Sequence, residues 1–311
     1  MSRVVLAVGA SHSTLMNTHW DEVSDSPAAN GFRDALGDAR QRIEAARPDV
    51  LVVIGSNHFR GFYLDLMPTF TIGVRDCIGS GEAGTPAGPL AVAQDLAQHL
   101  AESVVRDEFD VAFSLRLQVD HGITHALQYL SPPEVPIVPI VVNVFAPPLP
   151  SLARCDAFGR ALGRALATDG TDRRVVVVGS GGLSHRLPWP KWTGPESDDD
   201  EFLVHAWSDG RENWKEYEVR RRQIVRAAPS VINPDFDRSV LELVTAGQLY
   251  RLAEHSEESL DQVGGNGAQE LRTWLTASAC AGHRHGEVLG YWPVEEWLTG
   301  MAVAVLAPPE Q

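Results

Sequence analysis

The stretch Val175-Val-Val-Val-Gly-Ser-Gly-Gly-Leu-Ser-His185 decides the fold class. A run of β-branched residues reads as a strand buried on both faces, as in the middle of a covered sheet. Gly179, Gly181 and Gly182 then let the backbone turn sharply and leave room beside it. His185 follows at the carboxyl end of the strand, where open α/β sheets place their ligands. Alone, the stretch reads equally well as a glycine-rich turn carrying an incidental histidine.

The same arrangement recurs upstream. Val4 to Val8 runs into Gly9-Ala-Ser-His12, and Val50 to Ile54 runs into Gly55-Ser-Asn-His58. Val111 to Leu117 runs into Gln118-Val-Asp-His121-Gly122. Between these strands, helical spacing of apolar residues predicts helices over Phe32–Ala46, Leu90–Val105, Thr124–Tyr129 and Leu152–Ala167. The residues from His12 to Asn30-Gly31 lack periodicity and read as a long polar loop. Phe70 to Val74 reads as an exposed strand, and Gly79 to Gly88, with four glycines and a proline, as a loop or lid. Beyond His185 the pattern becomes mostly helical, with closing strands near Tyr291-Trp292 and Met301–Leu306. The expectation is an α/β fold: a central, largely buried sheet flanked by helices, a mostly helical C-terminal portion and closing strands, in one domain over 1–311.

Composition narrows the function. The 311 residues are 44% hydrophobic, enough for a large core, and the formal charge is −15. No basic run is available to neutralise phosphates, so a nucleic-acid partner is not expected. Arg220-Arg-Arg222 follows Glu216 and Glu218 closely and reads as a solvated helix face. No apolar run reaches membrane-spanning length, and Val4 to Val8 is too short for a signal-peptide core. Cys77, Cys155 and Cys280 form neither a disulfide framework nor a Cys-x-x-Cys site, which points to a reducing cytoplasm.

The chemistry candidates are His12, His58, His121, His185 and Glu270. Each lies where a small-residue turn leaves an ordered element, which is how a scaffold gathers distant residues into one cleft. Imidazole and carboxylate suit a borderline divalent metal, and two histidines with one carboxylate leave open positions suited to non-haem Fe(II). Two further histidines suit acid and base roles, because imidazole titrates near neutral pH. Spacing alone does not assign these roles among the five residues.

The strings around these residues carry a resemblance. Ser11-His12-Ser13, Asn57-His58-Phe59 with Gly61-Phe62, Gln118-Val-Asp-His-Gly122, Gly179-Ser-Gly-Gly-Leu-Ser-His185 and Gln269-Glu270-Leu-Arg-Thr-Trp274 resemble class III extradiol ring-cleavage dioxygenases. That is the superfamily of the protocatechuate 4,5-dioxygenase β subunit, and the likeness runs nearly end to end. It implies His12, His58 and Glu270 as ligands of Fe(II), with no other cofactor. It implies His121 and His185 as the proton-transfer pair, His185 read as base and His121 as acid, with Asp120 as a candidate to orient His121. The implied partners are O2 and a catechol, of the 2,3-dihydroxyphenylpropionate type, and the implied assembly is a homo-oligomer. Trp189 to Trp214 departs from the family pattern and is expected to reshape the substrate pocket. Two other readings use the same residues: a zinc-dependent ring-opening or hydrolytic relative, and a non-catalytic protein that binds aromatic ligands.

Overall fold

The computed structural model describes residues 1–132 and 134–308, so the last three residues of the domain expected over 1–311 lie outside the described residues. The strands are β1 Arg3–Ala10, β2 Val50–Ser56, β3 Phe70–Ser80, β4 Ala87–Leu90, β5 Ala112–Val119, β6 Ile137–Val142, β7 Arg174–Ser180, β8 Glu287–Val294 and β9 Thr299–Ala307. The helices are α1 Thr14–Thr18, α2 Pro27–Ala46, α3 Gln94–Arg106, α4 His121–Leu130, α5 Leu152–Ala167, α6 Asp198–Asp209, α7 Trp214–Ala227, α8 Pro234–Thr245, α9 Glu257–Gly264 and α10 Leu271–Cys280.

All nine strands among the described residues join one sheet, in the order β4-β3-β6-β2-β7-β1-β9-β8, with β5 on the other side of β3. The strands β6, β2, β7 and β1 are mutually parallel and almost wholly buried. Their side chains alternate between two cores, as period 2 requires. Val50, Val52 and Ile54 face α3, α5 and α10, whereas Leu51 and Val53 face α2 and α4. Of the closing strands, β9 runs antiparallel beside β1 and β8 antiparallel beside β9.

Helix α10 is buried along all ten of its residues. Glycine makes this possible at both of its contacts. A Cβ at Gly9 would lie 2.6 Å from the Trp274 indole, and one at Gly159 of α5 would lie 2.3 Å from the Thr276 carbonyl oxygen. With the helix pressed this closely onto β1 and β7, its start, carrying Glu270, lies over the carboxyl ends of those strands. Trp274 is core.

Several expectations shift. The polar stretch after His12 contains α1, capped by Ser13, and α2 begins at Pro27, capped by Ser26. Asn30-Gly31, which reads as a loop in sequence, lies inside α2; Gly31 is there because the Trp292 indole fills the space of a side chain. Strand β3 is buried over its first four residues rather than exposed, because it pairs with β6 on one side and β5 on the other. The Gly79–Gly88 segment is a short 3₁₀ turn followed by β4, and Leu90 pairs with Cys77 instead of starting α3. Helix α4 starts at His121, three residues before the expected start, because the Asp120 carboxylate caps it through the Gly122 amide.

Candidate metal centre

Three of the parallel strand ends and the start of α10 converge. His12 follows β1, and the register pairs Ala10 with Ser180 of β7. Ser180 Oγ therefore lies 2.9 Å from His12 Nδ1, and the ring's other nitrogen points inward. That nitrogen, Nε2, is buried without a hydrogen-bond partner and lies 3.1 Å from Glu270 Oε1.

His58 follows β2, and the chain turns immediately after it through Phe59, whose φ is 63°. The His58 amide donates to Asp120 Oδ2 at 2.5 Å, and His58 Nδ1 lies 3.3 Å from Asp120 Oδ1. Its Nε2 lies 3.3 Å from the same Glu270 Oε1. Glu270 is itself held at both oxygens: Ser56 Oγ donates to Oε1 and the Gly182 amide donates to Oε2, each at 2.6 Å.

Each imidazole thus has its Nδ1 oriented by a protein group and its Nε2 turned toward one carboxylate oxygen. This is the pattern of metal-ligating histidines with their outer partners in place. The electrostatics fit a cation. Glu270 and Asp120 are both buried, and a buried anion needs compensation. Burial alone lowers the His58 pKa, but its bonds to Asp120 and Glu270 outweigh that and push it up to about 9. The imidazolium proton then supplies the positive charge that a divalent ion would supply in its place. The residues present therefore fit a metal with two nitrogen donors and one carboxylate oxygen.

His121 opens α4. Its ring centroid lies 3.7 Å from that of His58 and 5.2 Å from that of His12. The ring nitrogens of His12, His58 and His121 can all lie within 4.8 Å of one another, so His121 is close enough to compete as a ligand. Its Nδ1 is 2.6 Å from Glu82 Oε1, and its amide donates to the same oxygen at 2.9 Å. Burial and the neighbouring His58 charge hold the His121 pKa down to about 4.

His185 joins the group through glycine. Its Nδ1 donates to the Leu183 carbonyl at 3.2 Å, which leaves the lone pair on Nε2. The ring is wedged between Gly182 and Gly267: an added Cβ at Gly182 would lie 2.9 Å from His185 Cε1, and one at Gly267 would lie 2.1 Å from Nε2. Gly267→Ala must therefore displace the ring. A misplacement of about 1 Å can cost roughly 10²-fold in rate. We expect a loss of that order with metal content unchanged, measured on the anaerobically purified variant; full activity would place His185 outside the reaction.

The structure corrects one assignment. Asp120 serves His58 and the α4 cap, and Glu82 takes the place beside His121. The cause is local: Asp120 leaves β5 on the face opposite His121, as neighbouring residues of an extended chain do. Glu82 was missed in the sequence because it sits in the glycine-rich Gly79–Gly88 segment, and its only signal there was a lone carboxylate.

Beside His58 stands an aromatic wall. The Phe145 ring lies 5.1 Å from His58, and Trp189 lies 4.4 Å from Phe145 and 5.8 Å from His58. Both line a cleft of about 1110 Å³ that also takes in Arg186, Lys191, Trp192 and Gln269. From the Trp189–Trp214 segment, residues between Trp189 and Asp200 line this cleft, which reaches His58 through Phe145 and Trp189. Trp192 is nearly half exposed at its rim.

The family model described as the catalytic LigB subunit of aromatic ring-opening dioxygenase matches residues 6–305. A 2,3-dihydroxyphenylpropionate/2,3-dihydroxicinnamic acid 1,2-dioxygenase of Cupriavidus necator is 37% identical over 284 residues, covering 87% of this chain and 88% of its own. Enzymes with the same name from Rhodococcus jostii and Mycolicibacterium smegmatis are 35% and 36% identical, covering 94% and 96% of this chain and 95% and 97% of their own. An uncharacterised Escherichia coli K12 protein of known structure shares the fold at a TM-score of 0.52 and 15% identity, over 97% of this chain and 99% of its own. Matched over nearly its whole length, the chain belongs to the family of the catalytic LigB subunit of aromatic ring-opening dioxygenases.

Proposed function

We propose that this enzyme is an Fe(II)-dependent extradiol dioxygenase in which His12, His58 and Glu270 hold the metal. The observation that carries the reading is the approach of His12 Nε2 and His58 Nε2 to one oxygen of Glu270, at 3.1 and 3.3 Å. Bound there, iron would supply Lewis acidity that lowers a catechol hydroxyl pKa and a redox centre for O2, with positions left for both.

The chain's own groups supply the rest. His185, neutral because burial lowers its pKa, accepts a catechol proton at Nε2. His121, with Nδ1–H committed to Glu82, has an Nε2 lone pair that takes up a proton released as the catechol binds and, as imidazolium, returns it to oxygen during cleavage beside the hydroxyl-bearing carbons. Phe145 and Trp189 provide flat apolar area for an aromatic ring and keep water from it. The product is ring-opened and of the 2-hydroxymuconic semialdehyde type, keeping the ring substituent.

For the substrate we propose 2,3-dihydroxyphenylpropionate or a related 3-substituted catechol, supported by the names of the relatives and the adjoining cleft. The cations on the cleft wall are already engaged: Arg186 pairs with Asp261 and Lys191 with Glu196, at 3.2 and 2.9 Å. A carboxylate tail therefore competes with those acids. A panel of 3-substituted catechols with neutral and carboxylate tails, read by the yellow ring-opened product, ranks them. With Fe(II) restored anaerobically the panel should turn over, and air should inactivate the enzyme. Full turnover by an iron-free, Zn²⁺-loaded preparation would transfer the site to the zinc reading.

A homo-oligomer in a reducing cytoplasm completes the proposal. All three cysteines are buried and unbonded, and among the described residues no helix is long and apolar enough to cross a membrane. Strand β5 borders β3 alone and exposes Phe113 at 68% and Leu115 at 49%, beside Val105 of α3 at 56%. An apolar edge of this kind favours burial against a second copy. Light scattering should give a mass above 33.9 kDa that falls toward it in Phe113→Lys; a monomer at every concentration contradicts the proposal.

A further inference from the structure

Glu82 makes contacts that the proposed reaction does not yet use. Both of its hydrogen bonds to His121, from ring Nδ1 and from the backbone amide, end on one oxygen, Oε1. A carboxylate oxygen shared in this way holds the imidazole plane and the start of α4 in one fixed relation. It also settles the tautomer, because Nδ1 must carry the hydrogen and Nε2 then faces the reaction space.

Glu82 is itself over-determined. It follows Gly81, whose φ is +70°, in a 3₁₀ turn whose carbonyl accepts from the Thr85 amide at 3.0 Å and from the Thr85 hydroxyl at 2.8 Å. The turn folds back tightly: a Cβ at Gly79 would lie 2.2 Å from the Pro86 carbonyl oxygen. The second carboxylate oxygen, Oε2, lies 3.4 Å from Arg60 Nε. Arg60 is buried, donates to Glu218 Oε2 of α7 at 2.8 Å and to the Phe59 carbonyl at 3.1 Å, and stacks 4.9 Å over the Trp214 ring. The chain His121–Glu82–Arg60–Glu218 thus runs from the metal centre to α7.

We propose that Glu82 is the positioning residue of His121, fixing its ring with the Nε2 lone pair toward the reaction space and stabilising the imidazolium formed when Nε2 takes up the proton it then delivers, and that Arg60, held by Glu218 of α7, anchors Glu82. The inference rests on the reading of His121 as a proton-transfer group. The simpler role, an ion pair that only stitches a loop to a helix, accounts for the Arg60 and Glu218 contacts. It does not account for two donors of one histidine meeting on one oxygen.

The test uses Glu82→Ala, Glu82→Gln and Arg60→Met beside His121→Gln in the iron-loaded enzyme, with 15N-histidine NMR on the metal-free protein. A correctly held general acid contributes on the order of 10²–10⁴-fold, so losing its orientation should lower kcat by roughly 10²-fold in Glu82→Ala. KM should stay within about twofold, because Glu82 does not meet the substrate. Glu82→Gln keeps an oxygen for both N–H groups and should recover much of the loss, while Arg60→Met should show a smaller loss. The His121 ring resonances, identified among the eleven histidines by their absence in His121→Gln, should report Nδ1–H in the native protein and a mixture of tautomers in Glu82→Ala. Three results overturn the inference: Glu82→Ala with native kcat while His121→Gln is inactive, an unchanged His121 tautomer in Glu82→Ala, or activity falling only in step with iron content and melting temperature. Native activity in His121→Gln instead removes the acid role of His121, on which the inference stands.

Discussion

His121→Gln and His185→Gln should each lose ring cleavage by on the order of 10²–10⁴-fold while retaining iron. Glutamine keeps polarity and approximate size but cannot carry a proton between two oxygen sites. Both histidines have Nδ1 engaged, His121 with Glu82 and His185 with the Leu183 carbonyl, and so both present Nε2 for proton transfer. The two variants should differ in stage. His185→Gln should bind catechol with less of its dianion absorption, because the second proton has no acceptor. His121→Gln should form the normal substrate complex and stall afterwards. Metal analysis on the same preparations separates this division of labour from its rival, since the nitrogens of His12, His58 and His121 can also lie within ligand reach of one another. If iron falls in His121→Gln as far as in His12→Gln, then His121 is a ligand. If only one variant loses activity, one histidine handles both transfers.

Glu270→Gln, His12→Gln and His58→Gln should lose the metal itself, and with it all turnover. Glu270 is the point on which both imidazoles converge, and it is the anion that balances the charge of the centre. In Glu270→Gln the amide oxygen can accept from the Gly182 amide while the amide nitrogen donates to Ser56 Oγ, so the fold around it should hold while the charge is gone. Its folded state should therefore melt normally but bind iron weakly, as measured by iron content after anaerobic dialysis against a chelator. An outer-partner variant such as Ser180→Ala, which frees His12 Nδ1, should lose about 10–100-fold in metal affinity, less than a lost ligand. Native iron content in Glu270→Gln would move the centre away from this carboxylate.

Much of this protein is legible locally. Three strands, β1, β2 and β7, announce themselves as apolar runs, because a strand buried on both faces has no polar alternation to hide it. Helix α5 appears over the same residues, Leu152–Ala167, that its periodicity marks. The five site candidates were also visible, because His12, His58 and His185 follow strands through small residues, His121 follows one almost directly, and Glu270 follows a cluster of glycines.

What the sequence could not decide is which neighbour serves which histidine. His58 and Asp120 are 62 positions apart, His121 and Glu82 39, and Gly182 and Glu270 88. The obvious partner for His121, the adjacent Asp120, turns to the other face of the chain and serves His58. Glu82 comes from a glycine-rich segment with no periodic signal, and only the pairing of β3 with β5 carries it to the start of α4. Likewise, Asn30-Gly31 looks like a loop until the Trp292 ring is seen lying in the space that a side chain would occupy. Strand and helix follow from the chain's own period. The hydrogen-bond partners of a buried polar centre follow from which strand ends the sheet order brings together, and that order exists only once the sheet has formed.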